Sequence, residues 1–234
     1  MTEINSNVPV MISAGWVRPR SGGHWTGDAC DEAPVTNVNE LFTKEILNHT
    51  NVKNYGRFPD GTRAVCSACA LALKGAGLWP GDQKRPNTGL LIAGYDHTLM
   101  QNCSFFQDYI DNDRIIARGQ LFIYTLPTSA VAEAAILLKA EGPLLFEESG
   151  KAPFANLLNV GEGLINSGQA ERMMLVWQNT ETTLCGLLDG TAAGASVNSN
   201  QHLITIAQKW NNPVDGIDFF RDQTSGRNEK ERTT

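Results

Sequence analysis

Residues 128 to 189 run TSAVAEAAILLKAEGPLLFEESGKAPFANLLNVGEGLINSGQAERMMLVWQNTETTLCGLLD. The alanine-rich piece that follows Pro127 has the composition of a buried helix reaching about Lys139, and Gly142-Pro143 stops it. Residues 144–148 (LLFEE) then read as a strand, and 152–167 (APFANLLNVGEGLINS) as a helix. Two further apolar runs, 171–178 and 182–189, read as strands joined by a tight turn. So short a link cannot carry a parallel crossover, so the last strand runs antiparallel to its predecessor.

Nearer the N-terminus, residues 88–95 (TGLLIAGY) form a short apolar run between turn residues, the pattern of a buried parallel strand. Before it, 62–76 (TRAVCSACALALKGA) is helical and closes at Gly77 and Pro80. A weaker helical period covers 38–48, and 8–17 (VPVMISAGWV) reads as a buried strand. The glycine-rich stretch 18–34 is too irregular for regular structure. Leu99, Cys103, Phe106 and Ile110 give 98–111 helical spacing, whereas 120–126 (QLFIYTL) reads as extended. Strands alternating with helices predict an α/β fold with a largely parallel sheet covered on both faces. The domain expected is 1–190. Residues 191–234 follow as a segment with one amphipathic helix (HLITIAQKW) and a charged, frayed end.

The chain has 234 residues, is 41 % hydrophobic and 19 % charged, and carries a net charge of −6. That acidic balance argues against a nucleic-acid or anionic-membrane surface. No apolar run approaches the ~18 residues of a membrane span, and the start lacks a basic-then-apolar leader, so a cytoplasmic protein is expected. Cys66 and Cys69 form a single CxxC inside a helical stretch; without a second pair they read as core packing rather than a zinc site. His24, His49, His97 and His202 have no ligand spacing, so neither metal nor cofactor is expected.

Between Leu121 and Thr180 the sequence resembles the N-terminal half of the β-ketoacyl synthases of the thiolase-like superfamily. TSAVAEAAILLKAEGPLLF is similar to that family's alanine-rich helix, its Gly-Pro and the strand leading to the nucleophile. NVGEGLINSGQAERMMLVW is similar to the helix, turn and core strand that follow. Upstream, TRAVCSACALALKGAGL and NTGLLIAGY resemble an earlier helix and strand, so the likeness spans most of residues 8–190. The fold it implies is a single thiolase-like half, a five-stranded mixed sheet ordered 3-2-1-4-5 with strand 5 antiparallel and helices on both faces.

In an active ketosynthase a cysteine stands at the N-terminus of the helix after the Gly-Pro strand, where the helix dipole and backbone N–H groups favour thiolate and oxyanion. Ungapped alignment puts Lys151 at that position. A lysine forms no thioester. The family's two catalytic histidines belong to a C-terminal half that the short segment after Gly190 cannot supply. The expectation is therefore a pseudoenzyme, with Cys103, His97 and Asp96 as minor catalytic candidates. The resemblance also implies dimerisation through the strand edge Leu144, Leu145, Phe146 and Glu147. The role expected is a non-catalytic, chain-length-factor-like subunit of a fatty-acid or polyketide pathway. Its partners would be its own copy or a ketosynthase, and an acyl carrier protein. The alternative is an acyl-thioester-processing enzyme (acyltransferase or thioesterase) or an acyl-chain-binding protein on the same scaffold. In every case something must cover the apolar helix 152–167, and the segment His202 to Trp210 with Phe219 and Phe220 is one candidate.

Overall fold

The computed structural model describes residues 9–27, 29–34, 55–79, 84–94, 98–115, 118–148, 150–191 and 198–231. The helix expected over 38–48 and the pair Asp96-His97 lie outside them. One mixed sheet holds β1 (Val10–Arg18), β2 (Ser21–Trp25), β3 (Cys30–Pro34), β4 (Thr88–Gly94), β5 (Leu144–Glu148), β6 (Arg172–Gln178) and β7 (Thr183–Asp189). The helices are α1 (Asp60–Gly75), α2 (Leu99–Asp111), the one-turn α3 (Gly119–Ile123), α4 (Ser129–Leu138), α5 (Pro153–Asn166), α6 (Asn198–Ala207) and α7 (Pro213–Glu231).

The strand order is β3-β2-β1-β7-β6-β4-β5. The sheet therefore has seven strands rather than five. Numbering the five expected strands in chain order, they lie 3-2-4-5-1 rather than 3-2-1-4-5. The antiparallel direction of the fifth is as expected, since β7 runs antiparallel to both β6 and β1. The physical reason for the changed order lies in β1. A strand has two edges, and β1 gives one to its own hairpin partner β2, paired from Ala14↔Trp25 to Arg18↔Ser21. Only one edge remains, and β7 takes it. β4 and β6 then pair directly and in parallel along their whole length. The β2–β3 pair arises from the stretch that read as irregular. Gly23 is needed there because a Cβ would meet the Trp16 indole and the Asp31 carbonyl.

Helices α1 and α4 cover one face, where Val65, Leu73, Val131 and Leu138 meet Leu90, Met174 and Leu187. The small residues of α1 allow a close approach to β1. Ser13 Oγ donates to Ala72 O at 2.6 Å, and a Cβ on Gly15 would strike the backbone at Ala68 and Ala72. Cys66 and Cys69 are fully buried in this layer, as their helical spacing implied. Helix α5 covers the other face with Phe154, Leu157 and Leu158. There α6 and α7 add Leu203, Ile204, Ala207, Ile217 and Phe220, and Trp210 between them adds its indole.

Among the described residues, four of the six strand pairings are antiparallel, so the sheet is mixed rather than largely parallel, and one further expectation is corrected. Residues 120–126 do not form a strand: α3 spans Gly119–Ile123, and the chain then turns through Thr125 N→Phe122 O and Leu126 N→Ile123 O. Helix α7 runs to Glu231 and has a well-capped start. Asn212 Oδ1 accepts from Val214 N and Asp215 N, and Asp215 Oδ2 accepts in return from Asn212 N at 3.3 Å and Asn211 N at 2.6 Å. With Pro213 in the first turn, this is a reciprocal capping arrangement.

Candidate functional site

A cleft of about 530 Å³ opens at the carboxyl ends of β5 and β6, against the N-terminus of α5. Its walls come from the 150–153 turn, from Trp177, Gln178 and Asn179 at the end of β6, and from Gln208, Trp210, Asn211, Asn212 and Pro213 where α6 leads into α7. The position follows from the fold, since the carboxyl ends of parallel strands leave a crevice that loops must line.

The turn before α5 has an unusual backbone. Ala152 sits in the left-handed region (φ 56°, ψ 56°) as the residue before the helix, and Pro153 opens the first turn, where its missing N–H costs nothing. A non-glycine residue there costs about 1–3 kcal/mol and persists only where its surroundings enforce it. Ala152 packs on the second core, which supplies that enforcement. No described side chain caps the helix. Lys151, immediately before the turn, is exposed and lines the cleft; its carbonyl accepts from Asn156 Nδ2 at 3.5 Å.

The amides around the cleft hold its walls. Gln178, 3 % exposed, donates from Nε2 to Gly61 O at 2.8 Å and Thr183 Oγ1 at 3.0 Å, tying the end of β6 to α1. Asn179 Oδ1 accepts from Glu181 N and Thr182 N and so fixes the β6–β7 turn. Asn212 is committed to the cap of α7. Among the described residues that line the cleft there is no thiol, imidazole or carboxylate. An amine and a set of amides can bind through hydrogen bonds, but they offer no general acid–base pair near neutral pH.

The remaining expected site residues do not gather at this cleft. Cys103 is exposed on α2 and lines none of it. Leu144 and Leu145 are exposed on β5, which ends the sheet, whereas Phe146 is partly buried against the first core. Burial pushes the Glu147 carboxyl above its ordinary range, with a hydrogen bond from Asn156 acting against it. Its Oε2 is buried with no hydrogen-bond partner among the described residues.

Elsewhere, the thiols of Cys66 and Cys69 are pushed well up, Cys66 by burial and Cys69 first by its hydrogen bond with Cys185 and then by burial, so these are inert packing groups. Desolvation likewise carries the Tyr55 phenol to about 12. The described residues contain no cluster of three histidine, cysteine or acidic side chains able to hold a metal. None of their helices is long and apolar enough to cross a membrane. The contribution of residues 208–213 to the cleft escaped the sequence reading. Asn212-Pro213-Val214-Asp215 signals a helix start there, but nothing local places that start at the end of β6.

No family model and no curated protein matches the chain. Solved structures do. The chain is similar to the ishigamide ketosynthase/chain length factor, with 12 % identity and a TM-score of 0.59 over 80 % of this chain and 63 % of that one. It is also similar to a type II polyketide synthase acyl-carrier protein in complex with its ketosynthase bound to the hexaketide (AntDE:AntF), at 12 % identity and TM-score 0.51, covering 84 % and 60 %. A third is the ketosynthase from module 1 of the bacillaene synthase of Bacillus amyloliquefaciens FZB42, at 10 % identity and TM-score 0.51, covering 80 % and 43 %. This chain thus spans less than two thirds of each of those chains. At such identities the likeness concerns architecture: the protein has a thiolase-like, ketosynthase-type fold.

Proposed function

We propose that this chain is a non-catalytic β-ketoacyl-synthase-like subunit of a fatty-acid or polyketide-type pathway. The observation that carries this reading is the cleft at the N-terminus of α5. There the ketosynthase resemblance calls for a nucleophilic cysteine, and this chain has Lys151 followed by Ala152, with amides opposite. A solvated lysine cannot replace a thiolate in thioester exchange, and no described lining group can relay its proton. The second support is the C-terminal segment. Helices α6 and α7 bury the outer side of α5 within the same chain, where the ketosynthase resemblance would put a second catalytic half.

Such a subunit acts by association. The open edge of β5, with Leu144 and Leu145 exposed, is the surface for a copy of itself or for an active ketosynthase. An acyl carrier protein is a further partner of the assembly, and the cytoplasm its compartment. The test is turnover of acyl-CoA and acyl-carrier thioesters by the purified chain, with Cys103→Ala alongside, together with co-purification with ketosynthases of the same cell. Absence of turnover with recovery of a ketosynthase complex supports the reading. Turnover abolished by Cys103→Ala would replace it with the acyl-thioester-processing alternative.

A further inference from the structure

The lining of the cleft beside α5 is one-sided in charge. Lys151 supplies a cation, and among the described residues no carboxylate lines the cleft or pairs with that ammonium. Two acids of the adjoining segments are committed elsewhere: Asp215 accepts from the N–H groups of Asn211 and Asn212, and Glu147 accepts from Asn156. The amides tip the balance the same way. Asn179 and Asn212 each spend the carboxamide oxygen on two backbone N–H groups, so the half that remains is the NH2 donor. Gln178 is the exception, with its NH2 turned to Gly61 O of α1. Trp177, Trp210, Ala152 and Pro153 give the walls an apolar part. At about 530 Å³ the cleft has the size that takes a small organic molecule.

We propose that this cleft binds a small organic anion, a carboxylate or phosphate on a compact apolar body, with Lys151 as its ion-pair partner. The inference rests on the reading above that the cleft does no thioester chemistry. The ligand is held reversibly, by charge and donors, where the ketosynthase resemblance calls for a cysteine carrying a covalent acyl group. An amine in place of a thiol turns a bond-forming position into one that attracts negative charge. Carboxylate and phosphate oxygens are acceptors, which matches a lining whose uncommitted groups at Lys151, Asn179 and Asn212 are donors. The indoles of Trp177 and Trp210 border the space left for the apolar body. The net charge of −6 gives the chain no general attraction for anions, so saturable anion binding points to a local site.

Titration of the full chain with benzoate, phenyl phosphate, inorganic phosphate and the uncharged benzamide tests this, read by tryptophan fluorescence because two indoles line the cleft. The expected result is saturable binding of benzoate or phenyl phosphate that weakens as sodium chloride is added. The dissociation constant should rise at least about tenfold in Lys151→Gln. It should stay near the parent's in Lys151→Arg and in Lys209→Gln, whose exposed lysine adjoins the cleft without lining it. Both lysines are exposed, so circular dichroism of the variants should match the parent. The tighter of benzoate and phenyl phosphate assigns the anionic group. Inorganic phosphate binding as tightly as phenyl phosphate would overturn the organic body. The site itself is overturned by a chain that binds no anion, by benzamide binding as tightly as benzoate, or by Lys151→Gln binding like the parent. Acylation, read separately by intact mass, distinguishes the two readings: an acylated chain that binds the anion keeps this site and removes the non-catalytic role, and an unacylated chain that binds none does the reverse.

Discussion

The indole of Trp210, between α6 and α7, stands 5.3 Å from the ring of Phe154 in the first turn of α5. Phe154 is fully buried and in turn stacks on Trp177 at 6.1 Å, while Trp210 also meets Phe219 and Phe220. This aromatic column joins the C-terminal segment to the helix that forms one wall of the cleft. It makes the tail part of the core rather than an appendage.

Trp210→Ala should therefore behave as a core truncation. Removing a buried tryptophan costs about 3–5 kcal/mol, and the loss should show in urea unfolding as a lower midpoint. If α6 and α7 were a loose extension, the midpoint would not move.

The start of α7 is a second, smaller anchor. Asn212→Ala removes the acceptor for Val214 N and Asp215 N, at a cost of about 0.5–2 kcal/mol. Hydrogen exchange of α7 amides should quicken in this variant, while those of β4 and β6 stay protected.

Thiol accessibility separates the five cysteines. Cys103 is exposed, Cys30 is half-buried, and Cys66, Cys69 and Cys185 are buried. A thiol reagent applied to the native protein should label Cys103 at once and Cys30 slowly. Burial and the nearby Glu32 carboxylate raise the Cys30 thiol and slow it further. The other three should react only on unfolding.

Asp189 sets part of the acid sensitivity. Burial alone would raise its carboxyl, but hydrogen bonds from Thr191 and Arg172 outweigh it and hold the group below its ordinary range. The unfolded chain therefore takes up this proton first. The stabilisation is complete above the ordinary aspartate value of about 3.9 and is lost as pH falls through the lower folded value. Asp189→Asn should cost stability at pH 7, by about 1.5–3 kcal/mol for a hydrogen bond to a charged group. It should also flatten the decline of stability below about pH 4, measured by denaturant unfolding across the pH series.

The elements with clear patterns were legible in the sequence. β4, β6 and β7 are uninterrupted apolar runs and α5 has a strong helical period, so their positions and the antiparallel turn could be read directly. The strand order could not, because it turns on Ser-Gly-Gly-His-Trp at 21–25, where glycine hides a strand made possible by the Trp16 ring lying over Gly23. Residues 120–126 misled for the opposite reason: β-favouring side chains form a helical turn held by backbone bonds, with Ser129 Oγ donating to Ile123 O. Helix α2 has the spacing expected of it, yet that apolar stripe faces outward. Periodicity reports that a helix has an apolar side; it does not report what covers that side. At the site, Lys151 is reached by position alone. The opposite wall depends on a return of the chain from residue 207 to the end of β6, which no local pattern specifies.

Whether the chain lacks a working nucleophile is decided by intact-mass spectrometry after incubation with acyl-CoA and acyl-carrier thioesters. The mass should stay unchanged, because the turn before α5 carries an amine and a methyl group in place of a thiol. A gain of one acyl group per chain, abolished by blocking cysteine, would show that the protein is acylated after all and that the non-catalytic reading is wrong.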